Sequence, residues 1–299
     1  MSSSGTTAPW RDLYPFTSHH LELAPQGHRL HYLDEGPREA PAVVLVHGNP
    51  TWSFYFRTLI PELAKEHRVI VPDHLGCGLS DKPQDYPYTL EGHIQNLGAL
   101  VDHLGLARWS LVMHDWGGAI GMGLATRRPD AVDRLVACNT AAFYVDFCPW
   151  RIRICRLPGL GAWLVRGLNG FSRAALVFAT SQRRRFTPQV RAGYLAPYDS
   201  WQHRVAVHRF VRDIPLEPGH PTRATLDAIE AGLPRLRPRP LRIFWGADDF
   251  CFTTRHFLPR WRQAFPAAEV TVLEGAGHYV IEDAHERILP DLLSFLRPG

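Results

Sequence analysis

The chain has 299 residues, 45% hydrophobic and 21% charged, a globular composition that excludes disordered and fibrous classes. With 33 basic against 29 acidic side chains the formal charge is +4, too small to point to nucleic acid. The length suits one large α/β core carrying an insertion, and no apolar run reaches the roughly 18 residues that span a bilayer.

Met1–Thr7 is Ser-rich and has neither a basic nor an apolar leader segment, so a cytoplasmic chain is expected. Five cysteines, odd in number and without CxxC spacing, fit a reducing compartment with no disulfide or zinc framework. From there β-rich runs alternate with amphipathic segments, the pattern of a mostly parallel sheet with crossover helices. The strands are expected at Arg29–Leu33, Ala42–His47, Arg68–Val71, Trp109–Met113, Arg134–Cys138, Leu241–Trp245 and Glu269–Leu273. Helices are expected at Phe54–Lys65, Leu90–Leu104, Gly117–Arg127, Arg255–Ala264 and Ala284–Leu296. Between about Tyr144 and Ala228 the alternation gives way to short helices punctuated by Pro and Gly. This reads as a helical cap (144–228) inserted into a core made of residues 1–143 and 229–299, with Leu233–Pro240 as the hinge back to the sheet.

Three residues with chemical potential follow successive core strands. Trp109–Met113 runs into His114-Asp115-Trp116-Gly117-Gly118 and a helix, the setting of a nucleophile elbow with Asp115 at its apex. Met113 is a departure, because a small residue usually stands two positions before the nucleophile, and it leaves an altered elbow open. Leu241–Trp245 leads to Asp248 and Asp249, and Glu269–Leu273 leads to His278. A lone Asp after a strand is commonly a helix cap and a lone loop His commonly solvated. The order nucleophile, acid, histidine after core strands is that of an α/β-hydrolase triad. The loop His47-Gly48-Asn49-Pro50 after Val43–Val46 supplies one oxyanion-hole N–H and Trp116 the other, while the Asn49 amide and the Trp116 indole add two neutral donors that can hold an anion.

The segments HGNPTWSFYFR, PDHLGCGLSDKP, HDWGG and AGHYVIEDA resemble the haloalkane dehalogenase branch of the α/β-hydrolases, from about Tyr14 to the C-terminus. The resemblance implies Asp115 as nucleophile, His278 as base, Asn49 and Trp116 as the leaving-group clamp, and no cofactor. In one dehalogenase subgroup the acid follows the preceding strand. Here Asn139–Phe143 holds no carboxylate, so Asp249 takes the role, with Asp146 and Asp248 as weaker candidates. NTAAF, NGFSRAA, APYDSWQHRVAVHRFVRDIPL and WGADDFCFTTRHFL are similar to the third dehalogenase-like subgroup, and within it to the β-lactone decarboxylases of bacterial long-chain olefin biosynthesis.

An Asp nucleophile suits displacement at an sp3 carbon bearing a leaving anion better than ester hydrolysis. The implied reaction is decarboxylation of a hydrophobic cis-β-lactone to a cis-olefin, with haloalkane dehalogenation as the alternative. For epoxide hydrolysis Tyr194 or Tyr198 could activate the ring, but Asn49 in HGNP favours an anion clamp over the aromatic more usual there, and a non-catalytic binding protein would not need an intact Asp115, Asp249 and His278. From Arg151 to Arg212 the cap carries twelve arginines, no lysine and the single acid Asp199, a charge of +11 on a chain that totals +4. A solvated basic face accounts for this, as would contact with an anionic lipid surface or an acidic partner in a multi-enzyme assembly.

Overall fold

The computed structural model describes residues 8–297, so the expectation about Met1–Thr7 falls on residues outside the described ones. Eight strands form one sheet: β1 (His19–Leu23), β2 (His28–Glu35), β3 (Ala42–Val46), β4 (Arg68–Pro72), β5 (Trp109–Asp115), β6 (Val132–Thr140), β7 (Leu241–Gly246) and β8 (Glu269–Leu273). Their order is β1-β2-β4-β3-β5-β6-β7-β8. β3 through β8 pair in parallel, while β1 and β2 join antiparallel at one edge. β3 and β5 are buried at every position, as strands covered by helices on both faces must be. β1 alternates half-buried and exposed side chains and fully buries only Leu23, with Leu21 half-buried against the core, so it shows no apolar run.

The helices are α1 (Ile60–Leu63), α2 (Leu90–His103), α3 (Trp116–Arg127), α4 (Trp150–Ile154), α5 (Leu160–Ala162), α6 (Gly170–Phe178), α7 (Pro188–Leu195), α8 (Val205–Arg212), α9 (Pro221–Gly232), α10 (Thr254–Ala264) and α11 (Val280–Leu296). The continuous helix expected over Phe54–Lys65 is instead a 3-10 turn, Ser53–Phe56, followed by α1. Pro61 lies in the first turn of α1, has no N–H to give, and disfavours helical backbone in the residue before it. α11 begins four residues before the expected Ala284, which itself sits at a kink with φ −147°. Residues 141–240 contribute no strand, and the chain leaves the sheet at the end of β6 and rejoins it at β7. α9 packs on α2 and α3 and runs through position 228, where the cap had been expected to end.

β4 lies on one side of β3 and β5 on the other, so the strand order reverses between β3 and β5. Open α/β sheets bind ligands beyond the carboxyl ends of the strands at such a switch point. The loop after β3 carries Asn49 and the end of β5 carries Asp115, one on each side of it. Among the described residues, no helix is long and apolar enough to cross a membrane.

Candidate active site

Asp115 ends β5 at φ +54°, ψ −126°, and α3 starts at the next residue. The turn closes because Gly117 has no side chain: a Cβ there would lie 2.0 Å from the Val46 carbonyl oxygen. Met113 fits two residues before the apex because α3 presents Gly121 to it, where a Cβ would come 2.7 Å from the Met113 sulfur. The larger residue before Asp115 is thus offset by an absent side chain on the helix that follows.

The turn presents a buried carboxylate with its two oxygens in different surroundings. Oδ1 of Asp115 accepts the Asn49 backbone N–H at 2.6 Å. Oδ2 lies 3.5 Å from Nε2 of His278. Nδ1 of His278 is in turn 2.8 Å from Oδ2 of Asp249. The structure therefore brings Asp115, His278 and Asp249 into one line from the ends of β5, β8 and β7. Burial works against ionisation of Asp115, but His278 and the Asn49 N–H outweigh it and hold the carboxyl below its usual range. For His278 burial opposes the charged form, yet Asp249 and Asp115 on its two sides raise it to about 10. These contacts favour an imidazolium between the two carboxylates.

Asp249 is held on both oxygens. Oδ1 accepts the N–H groups of Cys251 (2.6 Å) and Phe252 (3.0 Å). Oδ2 accepts the Asn139 amide at 2.8 Å besides facing His278. Asn139 also spans β6 and β7, receiving the Gly246 N–H at 2.8 Å. Asn139, near the end of β6 where no carboxylate stands, thus positions Asp249 in the loop after β7. Asp248, by contrast, is exposed and bonded to Ser181, and Asp146 is exposed beside Tyr144. Neither joins His278.

Other positioning residues become visible only in three dimensions. His114 donates from Nε2 to the His278 carbonyl oxygen (2.8 Å), and its ring packs 4.6 Å from that of His278. Burial lowers His114 to about 3, so it is neutral beside the charged His278. Phe252 stacks on His278 at 5.5 Å and 10°. Asp283 accepts the N–H groups of Gly277 (2.7 Å) and Ser181 (2.8 Å), tying the histidine loop to the cap. Motif reading marks HDWGG and VIEDA as segments, but nothing local reveals which atoms these side chains hold.

Asn49, Asp115, Trp116 and His278 meet at the floor of a cavity of about 570 Å3. Its walls are apolar, with Phe143 and Phe252 from the core and Ile152, Leu164, Phe171 and Val211 from the cap. The Asn49 amide donates one hydrogen to the Val207 carbonyl at 3.2 Å, which fixes its orientation and leaves the other free. The Trp116 ring packs 5.3 Å from Phe210. Tyr194 and Tyr198 do not line the cavity: their hydroxyls donate to Glu282 (2.7 Å) and to the Thr51 carbonyl (3.2 Å). No tyrosine at either position is placed to open an epoxide there.

Residues 41–284 match the family model of the alpha/beta hydrolase fold. The chain is 44% identical over 290 residues to the cis-3-alkyl-4-alkyloxetan-2-one decarboxylase of Shewanella oneidensis, covering 95% of this chain and 89% of that one. It is 33% identical over 283 residues to haloalkane dehalogenase 2 of Mycobacterium bovis, covering 94% and 95%. The crystal structure of haloalkane dehalogenase DbeA from Bradyrhizobium elkani superimposes with a TM-score of 0.84 at 28% identity, over 93% of this chain and 97% of that one.

Proposed function

The chain belongs to the α/β-hydrolase fold family, and from that premise we propose that it decarboxylates cis-3-alkyl-4-alkyloxetan-2-ones to cis-olefins and CO2. The observation that carries this over dehalogenation is the 44% identity to a decarboxylase against 33% to a dehalogenase, each over nearly the whole chain, cap included. The site chemistry supports it. Oδ2 of Asp115 attacks the ring carbon bonded to the ring oxygen, that carbon–oxygen bond breaks, and ring strain assists the opening. The carboxylate so released lies where the free Asn49 N–H and the Trp116 indole N–H can receive it. The bond from the α-carbon to the carboxylate then breaks, its electrons form the alkene, and Asp115 leaves as the carboxylate it was. Inversion on attack followed by anti fragmentation keeps cis substituents cis. Attack at the acyl carbon would instead give an anhydride.

His278 has no proton to remove along this route. As an imidazolium it holds the attacking oxygen in place and balances the negative charge that moves from Asp115 to the new carboxylate and back. A haloalkane would need the same residue to activate water after the aspartyl ester has removed one of the charges that keep it protonated. The five cysteines are all free, which supports a reducing, cytoplasmic setting. Incubation with a cis-3,4-dialkyl-β-lactone and, separately, with 1,2-dibromoethane tests the proposal. Olefin and CO2 from the first are expected. Bromide from the second without olefin from the first would make the protein a dehalogenase.

A further inference from the structure

Among the described residues, seven of the eight large hydrophobic side chains that are exposed lie in the cap, between Trp150 and Trp201. Two of them, Trp150 (65% exposed) and Phe178 (49%), also line the cavity, so the apolar interior runs out onto the surface at an aromatic rim. Arg151 stands in that rim, over the rings of Trp150, Phe178 and Phe250 at 5.3, 5.1 and 5.9 Å. Further along, Trp163 and Trp201 flank Gly167, and Arg166 lies 4.7 Å over Trp201. Of the twelve arginines from Arg151 to Arg212, Arg156 and Arg185 reach a carboxylate, Glu217 and Glu286. The other ten have no carboxylate partner among the described residues, and Arg209 adds to the burial that lowers Arg166.

We infer that this outer face of the cap docks on the surface of an anionic lipid bilayer, bringing the Trp150–Phe178 rim of the cavity against the membrane from which an alkyl-chain substrate enters. Arginines interspersed with Trp, Phe and Leu are what the headgroup–acyl boundary accepts: guanidinium to phosphate, rings and aliphatic chains beneath it. An acidic protein face would neutralise the arginines but would set carboxylates against the tryptophans and leucines. The contact is peripheral, since no described helix is long and apolar enough to span. The choice of cargo rests on the proposed lactone chemistry, because a dialkyl lactone and its olefin both partition into lipid.

Docking is measured without substrate, so its failure is distinct from failure of the activity. The full chain is co-sedimented with phosphatidylcholine vesicles, with vesicles containing phosphatidylglycerol, and with polyglutamate as a soluble acidic probe. Variants are Leu160→Ser/Trp163→Ser and Arg153→Gln/Arg173→Gln, none of which lines the cavity. Wild type is expected to bind the phosphatidylglycerol vesicles at low salt and to lose most of that binding when salt is raised. Each arginine removed should lower the partition about fivefold. The Leu160/Trp163 variant should bind weakly at every salt concentration, with melting temperature and turnover of detergent-dispersed lactone unchanged. No binding to anionic vesicles, equal binding by the variants, or binding to polyglutamate but not to vesicles would each overturn the inference.

Discussion

At the floor of the cavity Asp249 receives two backbone N–H groups and the Asn139 amide while facing His278; at the rim Arg151 lies among three aromatic rings and pairs with no carboxylate among the described residues. The floor is assembled from the ends of five neighbouring parallel strands, so its distances are set by sheet register and its polar atoms are held by backbone. The cap is made of short helices that meet the cavity with apolar side chains and meet solvent with tryptophan, leucine and arginine. On the proposed function, chemistry belongs to the first region, and the choice and entry of the substrate to the other. Substitutions at the floor should change kcat with little effect on binding, and substitutions at the rim should do the reverse.

The largest effect is expected from Asp115→Asn. Asn tolerates the positive φ of the elbow and nearly matches Asp in shape, so the melting temperature should hold while turnover falls by at least on the order of 10⁴-fold. Residual activity of a few per cent, with deamidation excluded by mass spectrometry, would contradict a covalent role. Trp116→Phe removes one donor from the proposed clamp and should lower kcat roughly a hundredfold with KM little altered. An unchanged kcat would make Trp116 packing for Phe210 and nothing more.

Gly121→Ala probes the floor through stability. The added methyl meets the Met113 sulfur, and overpacking of this kind costs about 1–3 kcal/mol, which chemical denaturation would register. The double variant with Met113→Ala should recover part of the loss. Phe178→Ala, at the rim, should raise KM about fivefold and leave kcat nearly unchanged, since about 1 kcal/mol of apolar contact is removed from a half-exposed wall.

The pH profile separates the regions further. Because His278 is raised in the folded state, the interactions that raise it stabilise the fold in full below the ordinary value of 6.5 and fade as pH climbs through about 10. Lactone turnover should be flat across neutrality and fall together with melting temperature as pH rises through about 10. A rate that instead rises with pH through neutrality would indicate that the neutral imidazole acts as a base.

The same contrast explains what was legible in the sequence. β3 and β5 are uninterrupted apolar runs followed by loops bearing Asn49 and Asp115, so strand and functional residue announce each other. β1 lacks that run because four of the five side chains of this edge strand are half-buried or exposed, and Pro61 broke a helix that composition alone favoured. Asn139 and His114 were not legible as positioning groups, since each acts on an atom more than a hundred residues away. The basic charge of the cap was plain in the sequence. Its alignment with an aromatic rim that opens into the cavity required the fold.

On the proposed route Asp115 is regenerated by fragmentation and not by water. Many turnovers of a cis-β-lactone in H2(18)O, followed by mass spectrometry of the peptide containing Asp115, test it directly. The expected result is olefin formation with no label in the Asp115 carboxylate. Incorporation of one or both (18)O atoms would mean that water hydrolyses an aspartyl intermediate in every cycle, and the water-free route would be wrong.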